Sequence, residues 1–116
     1  MILRNFKEMR IYLKVGPTDM RKSINTLSIL VEESMQLDPF GKSLFVFCNK
    51  RREIMKILYW DNNGFALWQK RLEKEKFKWP WKEDEVIEIN YLQLSWLLSG
   101  LDFSSAHEKL EYKSVI

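Results

Sequence analysis

Apolar and polar residues alternate from position 10 to position 15: Ile11, Leu13 and Val15 fall on one side, Arg10, Tyr12 and Lys14 on the other. A period of two is the mark of a strand with one face buried and one exposed. Gly16-Pro17-Thr18-Asp19 ends that strand and offers Thr18 or Asp19 as a helix N-cap, whose side-chain oxygen accepts a backbone N–H left unpaired by the helix. Met20, Ile24, Leu27, Val31 and Met35 then recur every three or four residues, while Arg21, Lys22, Asn25, Ser28, Glu32 and Glu33 lie off the stripe. The spacing predicts one long amphipathic helix from about Asp19 to Gln36, ending before Asp38-Pro39 and packing on a sheet.

The pattern changes at Ser43. Leu44-Phe45-Val46-Phe47-Cys48 is continuously apolar, which predicts a short strand buried on both faces. The runs Ile54–Trp60 and Phe65–Leu72 are rich in β-branched and aromatic residues and flank Asp61-Asn62-Asn63-Gly64. They predict a β-hairpin whose turn needs positive φ at its centre, and hence an antiparallel meander with the preceding strand. Lys82-Glu83-Asp84-Glu85 reads as a polar connection. Asn90 is placed to cap a last helix from Tyr91 to about Ser99, with Leu94, Leu97, Leu98 and Leu101 as its apolar face and Gly100 as its stop.

These elements add up to an α+β fold: an antiparallel sheet of about four or five strands, the long helix packed on one face, and a short C-terminal helix. A chain of 116 residues with 46% hydrophobic content is long enough for one core and too short for two. Residues 1–103 are expected to form the single domain, and residues 104–116 a polar, frayed tail.

Charge sharpens the picture. The net charge of +3 hides a segregation, since residues 50–82 carry ten basic and four acidic groups, and residues 83–116 two basic and seven acidic. A basic centre suggests a surface that faces a polyanion. The single cysteine, Cys48, has no second thiol to bridge and sits in an apolar run, which fits a buried thiol in a reducing cytoplasm. No apolar run approaches the roughly 20 residues that span a bilayer, and the first residues lack a signal-peptide core, so no membrane role is expected.

Catalytic readings do badly. The one histidine, His107, lies in the polar tail, far in pattern from a thiol in the middle of a buried strand. The carboxylates cluster as Glu32-Glu33 and Glu83-Asp84-Glu85 without metal-ligand spacing, and the four glycines form no phosphate-binding or dinucleotide pattern. Neither an enzyme, a cofactor, a metal nor a small-molecule substrate is expected.

Nucleic-acid binding does better. Arg21 and Lys22 fall in the opening turn of the predicted helix, where the macrodipole disfavours cations. Either Asp19 offsets them, or an anion is held by Arg21, Lys22 and the helix N-terminus. The hairpin brings Lys50, Arg51, Arg52 and Lys56 near Lys70, Arg71, Lys74, Lys76 and Lys78, so that two basic strand ends meet at one rim. Most aromatic residues are needed for the core. Trp79 and Trp81, flanking Pro80, are the plausible exposed ones and could stack on bases.

The same residues resemble a known family. Val15-Gly16-Pro17-Thr18-Asp19-Met20-Arg21-Lys22, Asp38-Pro39-Phe40, Leu44-Phe45-Val46-Phe47, Lys56-Ile57-Leu58-Tyr59-Trp60-Asp61, Lys70-Arg71-Leu72-Glu73, Phe77-Lys78-Trp79-Pro80 and Leu97-Leu98-Ser99-Gly100-Leu101-Asp102 are similar, in order, to the accessory protein TnpB of the IS-66 insertion sequences. Ser23 and Glu75 stand where that family often has glycine. The resemblance implies a bacterial, transposon-encoded protein that supports a separate transposase and has no assigned catalytic site.

The expected function is therefore noncatalytic support of transposition through a basic DNA-contacting surface. Arg21, Lys22, Lys50, Arg51, Arg52, Lys56, Lys70, Arg71 and Lys74 are the candidate phosphate contacts and Trp79 the candidate stacking residue. The alternative is a module that docks onto the transposase through Trp79-Pro80-Trp81 and the acidic tail, without touching DNA. Sequence-specific base readout is not expected, because no recognition-helix motif is visible.

Overall fold

The computed structural model describes residues 8–80, 85–102 and 113–114. The alternating segment becomes strand β1 (Arg10–Lys14), and the apolar run becomes β2 (Ser43–Cys48), buried from Leu44 to Cys48. Between them lies helix α1 (Ile24–Glu33). The hairpin is β3 (Ile54–Asp61) with β4 (Gly64–Arg71), followed by β5 (Val86–Ile89), helix α2 (Tyr91–Leu98) and the two-residue β6 (Lys113–Ser114). The fold is α+β, with the strands in one sheet in the order β4-β3-β2-β1-β5-β6.

The sheet is mixed rather than antiparallel. β1 and β2 run parallel, Ile11 beside Leu44 and Leu13 beside Val46, whereas every other pairing is antiparallel. The reason is α1. A helix between two neighbouring strands carries the chain back to the end where the first strand began, so the second strand must repeat the direction of the first. The meander β2-β3-β4 forms as its pattern predicts. Its tight turn is Asn62-Asn63, with φ of 59° at Asn62, and Gly64 opens β4 opposite Asp61 instead of serving the turn.

The long helix is also corrected, to ten residues. Asp19 does not cap it. The Asp19 carboxylate accepts from the Arg21 N–H at 2.9 Å and its carbonyl from the Lys22 N–H at 3.2 Å, which closes a separate turn. Ser23 is the N-cap, accepting from the Thr26 N–H. At the other end Gln36 takes a left-handed φ of 56° and the Leu37 N–H reaches back to the Val31 carbonyl, a Schellman-type stop made without glycine. Arg21 and Lys22 therefore precede the helix. The last helix behaves as expected: Asn90 and Gln93 form a reciprocal capping box, and Gly100 ends it with φ of 77°.

The two sheet faces carry two cores. Leu27 and Val31 of α1, with Met35 just past its end, pack on Tyr12, Phe45, Phe47 and Leu58. On the opposite face Leu94 and Leu97 of α2 join Ile11, Leu13, Val46, Met55, Ile57, Phe77 and Trp79. Cys48 is fully buried in that second core, and burial pushes its thiol up to about 12, so it is an inert packing group. Of the segment 104–116, only Lys113 and Ser114 lie within the described residues, paired with Glu88 and Ile87.

Candidate nucleic-acid interface

The topology sends three connections to one end of the sheet. β1 and β2 are parallel, so the loop after β1 (residues 15–22) and the turn after β2 (49–53) lie side by side at their C-terminal ends. α1 starts from that loop, so its N-terminus points to the same end. The segment after β4 (72–80) joins them, because β4 runs back antiparallel to β3. The C-terminal ends of parallel strands are where α/β sheets usually receive ligands, since loops and helix N-termini gather there.

Each connection is fixed by its own hydrogen bonds. The Thr18 N–H donates to the Cys48 carbonyl at 2.8 Å, which ties the first loop to the end of β2. In the β2–β3 turn the Asn49 side chain accepts from the N–H groups of Glu53 and Ile54 at 2.9 and 3.0 Å, and Arg52 adopts a φ of 59°. The turn projects Lys50, Arg51 and Arg52 outward, all exposed. The third segment is pinned to it by the Leu72 N–H to the Glu53 carbonyl at 2.8 Å and the Phe77 N–H to the Arg52 carbonyl at 2.7 Å. Lys76 Nζ also donates to the Arg51 carbonyl at 2.8 Å.

Arg21, Lys50 and Arg51 line one open groove of about 500 Å³, together with Pro17, Thr18, Asp19, Met20 and Asn49. Arg52 adjoins it on the same turn, and Lys22, half-buried, follows Arg21. Asp19 and Arg21 form a bidentate ion pair, with Nη2 to Oδ2 at 2.8 Å. The Arg21 guanidinium and N–H hold the Asp19 carboxyl well below its usual range, at about 2. The buried Thr18 hydroxyl, in the groove wall, has no partner among the described residues. Lys74 is exposed on the adjoining segment, as are Lys76 and Lys78.

The remaining candidates are placed elsewhere. Lys56 is half-buried on the α1 face and its Nζ donates to the Met20 carbonyl at 2.7 Å, so it supports the groove wall from behind. Lys70 is half-buried on the opposite face, where its Nζ donates to the Leu98 carbonyl at 2.6 Å at the C-terminal end of α2. A cation at that helix end is favoured by the dipole, whereas Lys56 is held only by its bond to the Met20 carbonyl. Arg71 pairs with Glu73 at 2.9 Å in solvent. Trp79 is corrected outright: it is 4% exposed, packs in the α2-side core, and donates from Nε1 to the Lys14 carbonyl at 3.1 Å. No base can stack on it. Trp81 lies outside the described residues.

Sequence reasoning assigns no role to Asn49, which organises the basic turn, and does not include Lys76 among the phosphate contacts. Asn directly before a basic tripeptide and after a strand is the available signal, since Asn side chains readily bond backbone N–H groups a few residues on. Among the described residues no group of three or more His, Cys, Asp or Glu side chains could hold a metal ion, and no helix is long and apolar enough to cross a membrane.

Comparison with known proteins agrees with the motifs. The model of the IS66 Orf2-like proteins matches residues 9–108. The chain belongs to the IS66 Orf2-like family. It is 36% identical over 107 residues to the uncharacterized protein y4hO of Sinorhizobium fredii, covering 92% of this chain and 93% of that one. It is 34% identical over 101 residues to y4jC of the same organism, covering 87% and 86%. No solved structure matches it significantly. Membership in the family suggests an accessory role in transposition.

Proposed function

We propose that this protein is a noncatalytic, cytoplasmic accessory factor of transposition that binds the DNA phosphate backbone through the basic end of its sheet. The observation that carries the reading is the convergence of the loop after β1 and the β2–β3 turn, which places Arg21, Lys50 and Arg51 around one groove, with Arg52 beside it. Lys74, Lys76 and Lys78 extend the surface on the third connection. Exposed cations on short, well-anchored turns suit phosphate contacts, which position a protein on a duplex without reading its sequence. The test is fluorescence anisotropy with element-end DNA and a scrambled duplex. Binding to both should weaken steeply with salt, because each neutralised phosphate releases counterions. Reversing Arg51 and Arg52 to Glu should abolish it, and no binding of the native chain at low salt would reject the reading.

A second reading, docking onto the separate transposase, draws support from the opposite end of the sheet. There Phe40, 54% exposed, packs with Trp60 and Phe65 at centroid distances of 5.1 and 5.3 Å. An exposed aromatic cluster is a common protein-docking feature. Replacing Phe40 with Ser should impair transposase capture and spare DNA binding under this reading.

A further inference from the structure

The groove between the loop after β1 and the β2–β3 turn offers more than positive charge. The Arg21 side chain is 91% exposed, yet it is held in place. Its Nε and Nη2 donate to the two Asp19 carboxylate oxygens at 3.1 and 2.8 Å, which occupies two of the five guanidinium N–H donors and leaves the pair without net charge. Such a guanidinium attracts phosphate weakly. Its plane, however, is oriented by the bidentate contact and its weakly hydrated face stays open, and unpaired bases stack on guanidinium planes.

Asn49 supplies a second kind of contact. Its Oδ1 accepts from the Glu53 and Ile54 N–H groups, so the orientation of the amide is set and Nδ2 is the atom left for the groove that Asn49 lines. That Nδ2 has no partner among the described residues, and it can donate to a base edge. Pro17 and Met20 add apolar surface to the same walls, and the exposed Lys50 and Arg51 add the charges for phosphate. At about 500 Å³ the groove falls in the size range of pockets that hold a single small ligand.

A duplex keeps its base faces stacked inside and presents such a concavity with phosphate and sugar alone. An unpaired nucleotide presents a face, an edge and its phosphates together. We propose that this groove takes one unpaired nucleotide of DNA, its base stacked on Arg21 with an edge toward Asn49 Nδ2 and its phosphates beside Lys50 and Arg51. The protein then favours single strands and melted ends over intact duplex, with little sequence preference, because every base has a face to stack. This inference rests on the DNA-binding reading above and names the form of DNA that the groove holds.

The test is fluorescence anisotropy of the full chain with three probes of about 15 nucleotides: single-stranded oligothymidylate, an abasic strand of the same backbone charge, and a duplex. The result expected is oligothymidylate binding at least about fivefold tighter than the abasic strand, and tighter than the duplex. Arg21→Lys keeps the cation and removes the plane. It should bring oligothymidylate down to the affinity of the abasic strand, with duplex affinity and the urea unfolding midpoint retained. Equal binding of oligothymidylate and the abasic strand overturns the proposal and leaves the backbone-binding reading standing, and so does a duplex that binds tighter than either strand. No binding of any probe at low salt would overturn the DNA-binding reading itself.

Discussion

The Phe77 N–H donates to the Arg52 carbonyl at 2.7 Å, and this bond joins the segment after β4 to the basic β2–β3 turn. Its strength comes from the ring behind it, since Phe77 is fully buried in the α2-side core. Phe77→Ala should cost about 3–5 kcal/mol in urea unfolding, the usual range for emptying a buried aromatic site. Lys76→Met, which removes only the exposed bond to the Arg51 carbonyl, should cost about 1 kcal/mol or less.

The basic residues should divide into two classes. Lys50 and Arg51 are exposed in the groove, and Lys50→Ala or Arg51→Ala should leave the unfolding midpoint unchanged while weakening DNA binding. Each substitution should reduce the slope of log affinity against log salt by about 0.9 for every phosphate it leaves unneutralised. Lys70→Met should do the reverse. It removes a 2.6 Å bond to the last turn of α2, so stability should fall by about 1 kcal/mol with the salt slope retained. Equal salt slopes for Lys50→Ala and Lys70→Met would contradict this division.

Much of this arrangement is legible in the chain, and the parts that are not share a cause. β1, the meander and the α2 cap follow from local period and capping chemistry, which need only neighbouring residues. The parallel pairing of β1 with β2 depends on where α1 leads the chain, which period alone does not state. Periodicity misplaces the helix start because Met20 extends the stripe of Ile24, Leu27, Val31 and Met35, although the turn at Asp19 separates it from the helix. The basic rim is visible as composition. Its division into groove cations and half-buried structural lysines is not, because Lys56 and Lys70 differ from Lys50 only in where on the sheet they fall.

Asp19 competes with any anion for Arg21. Its carboxyl titrates at about 2, lowered chiefly by the Arg21 side-chain hydrogen bonds. A depressed carboxylate pKa makes the native ion pair complete above the ordinary range near about 4, and the pair dissolves as pH falls toward about 2. Arg21→Ala should raise the Asp19 midpoint from about 2 toward, but not fully to, its ordinary value, because the backbone N–H at position 21 still donates to the carboxylate; carbon NMR of the carboxyl group reads the shift. Asp19→Asn should release Arg21 and tighten DNA binding several-fold, with the largest gain at low salt. Weaker binding would show that Asp19 serves to hold Arg21 in position for the phosphate.

Trp79 gives the sharpest contrast between a surface and a core reading. Its indole closes the core beneath the loop after β1, and its Nε1–H donates to the Lys14 carbonyl at 3.1 Å, at the last residue of β1. Trp79→Phe retains most of the apolar volume and deletes that donor. The expected cost is about 1–3 kcal/mol, the penalty for leaving a buried acceptor without its partner. DNA affinity, measured where the variant is fully folded, should be unchanged, because the ring is 4% exposed and cannot reach a base. A stacking residue would behave oppositely, losing about 1–3 kcal/mol of binding per base with stability intact. Urea unfolding and anisotropy on the same variant therefore decide between the two.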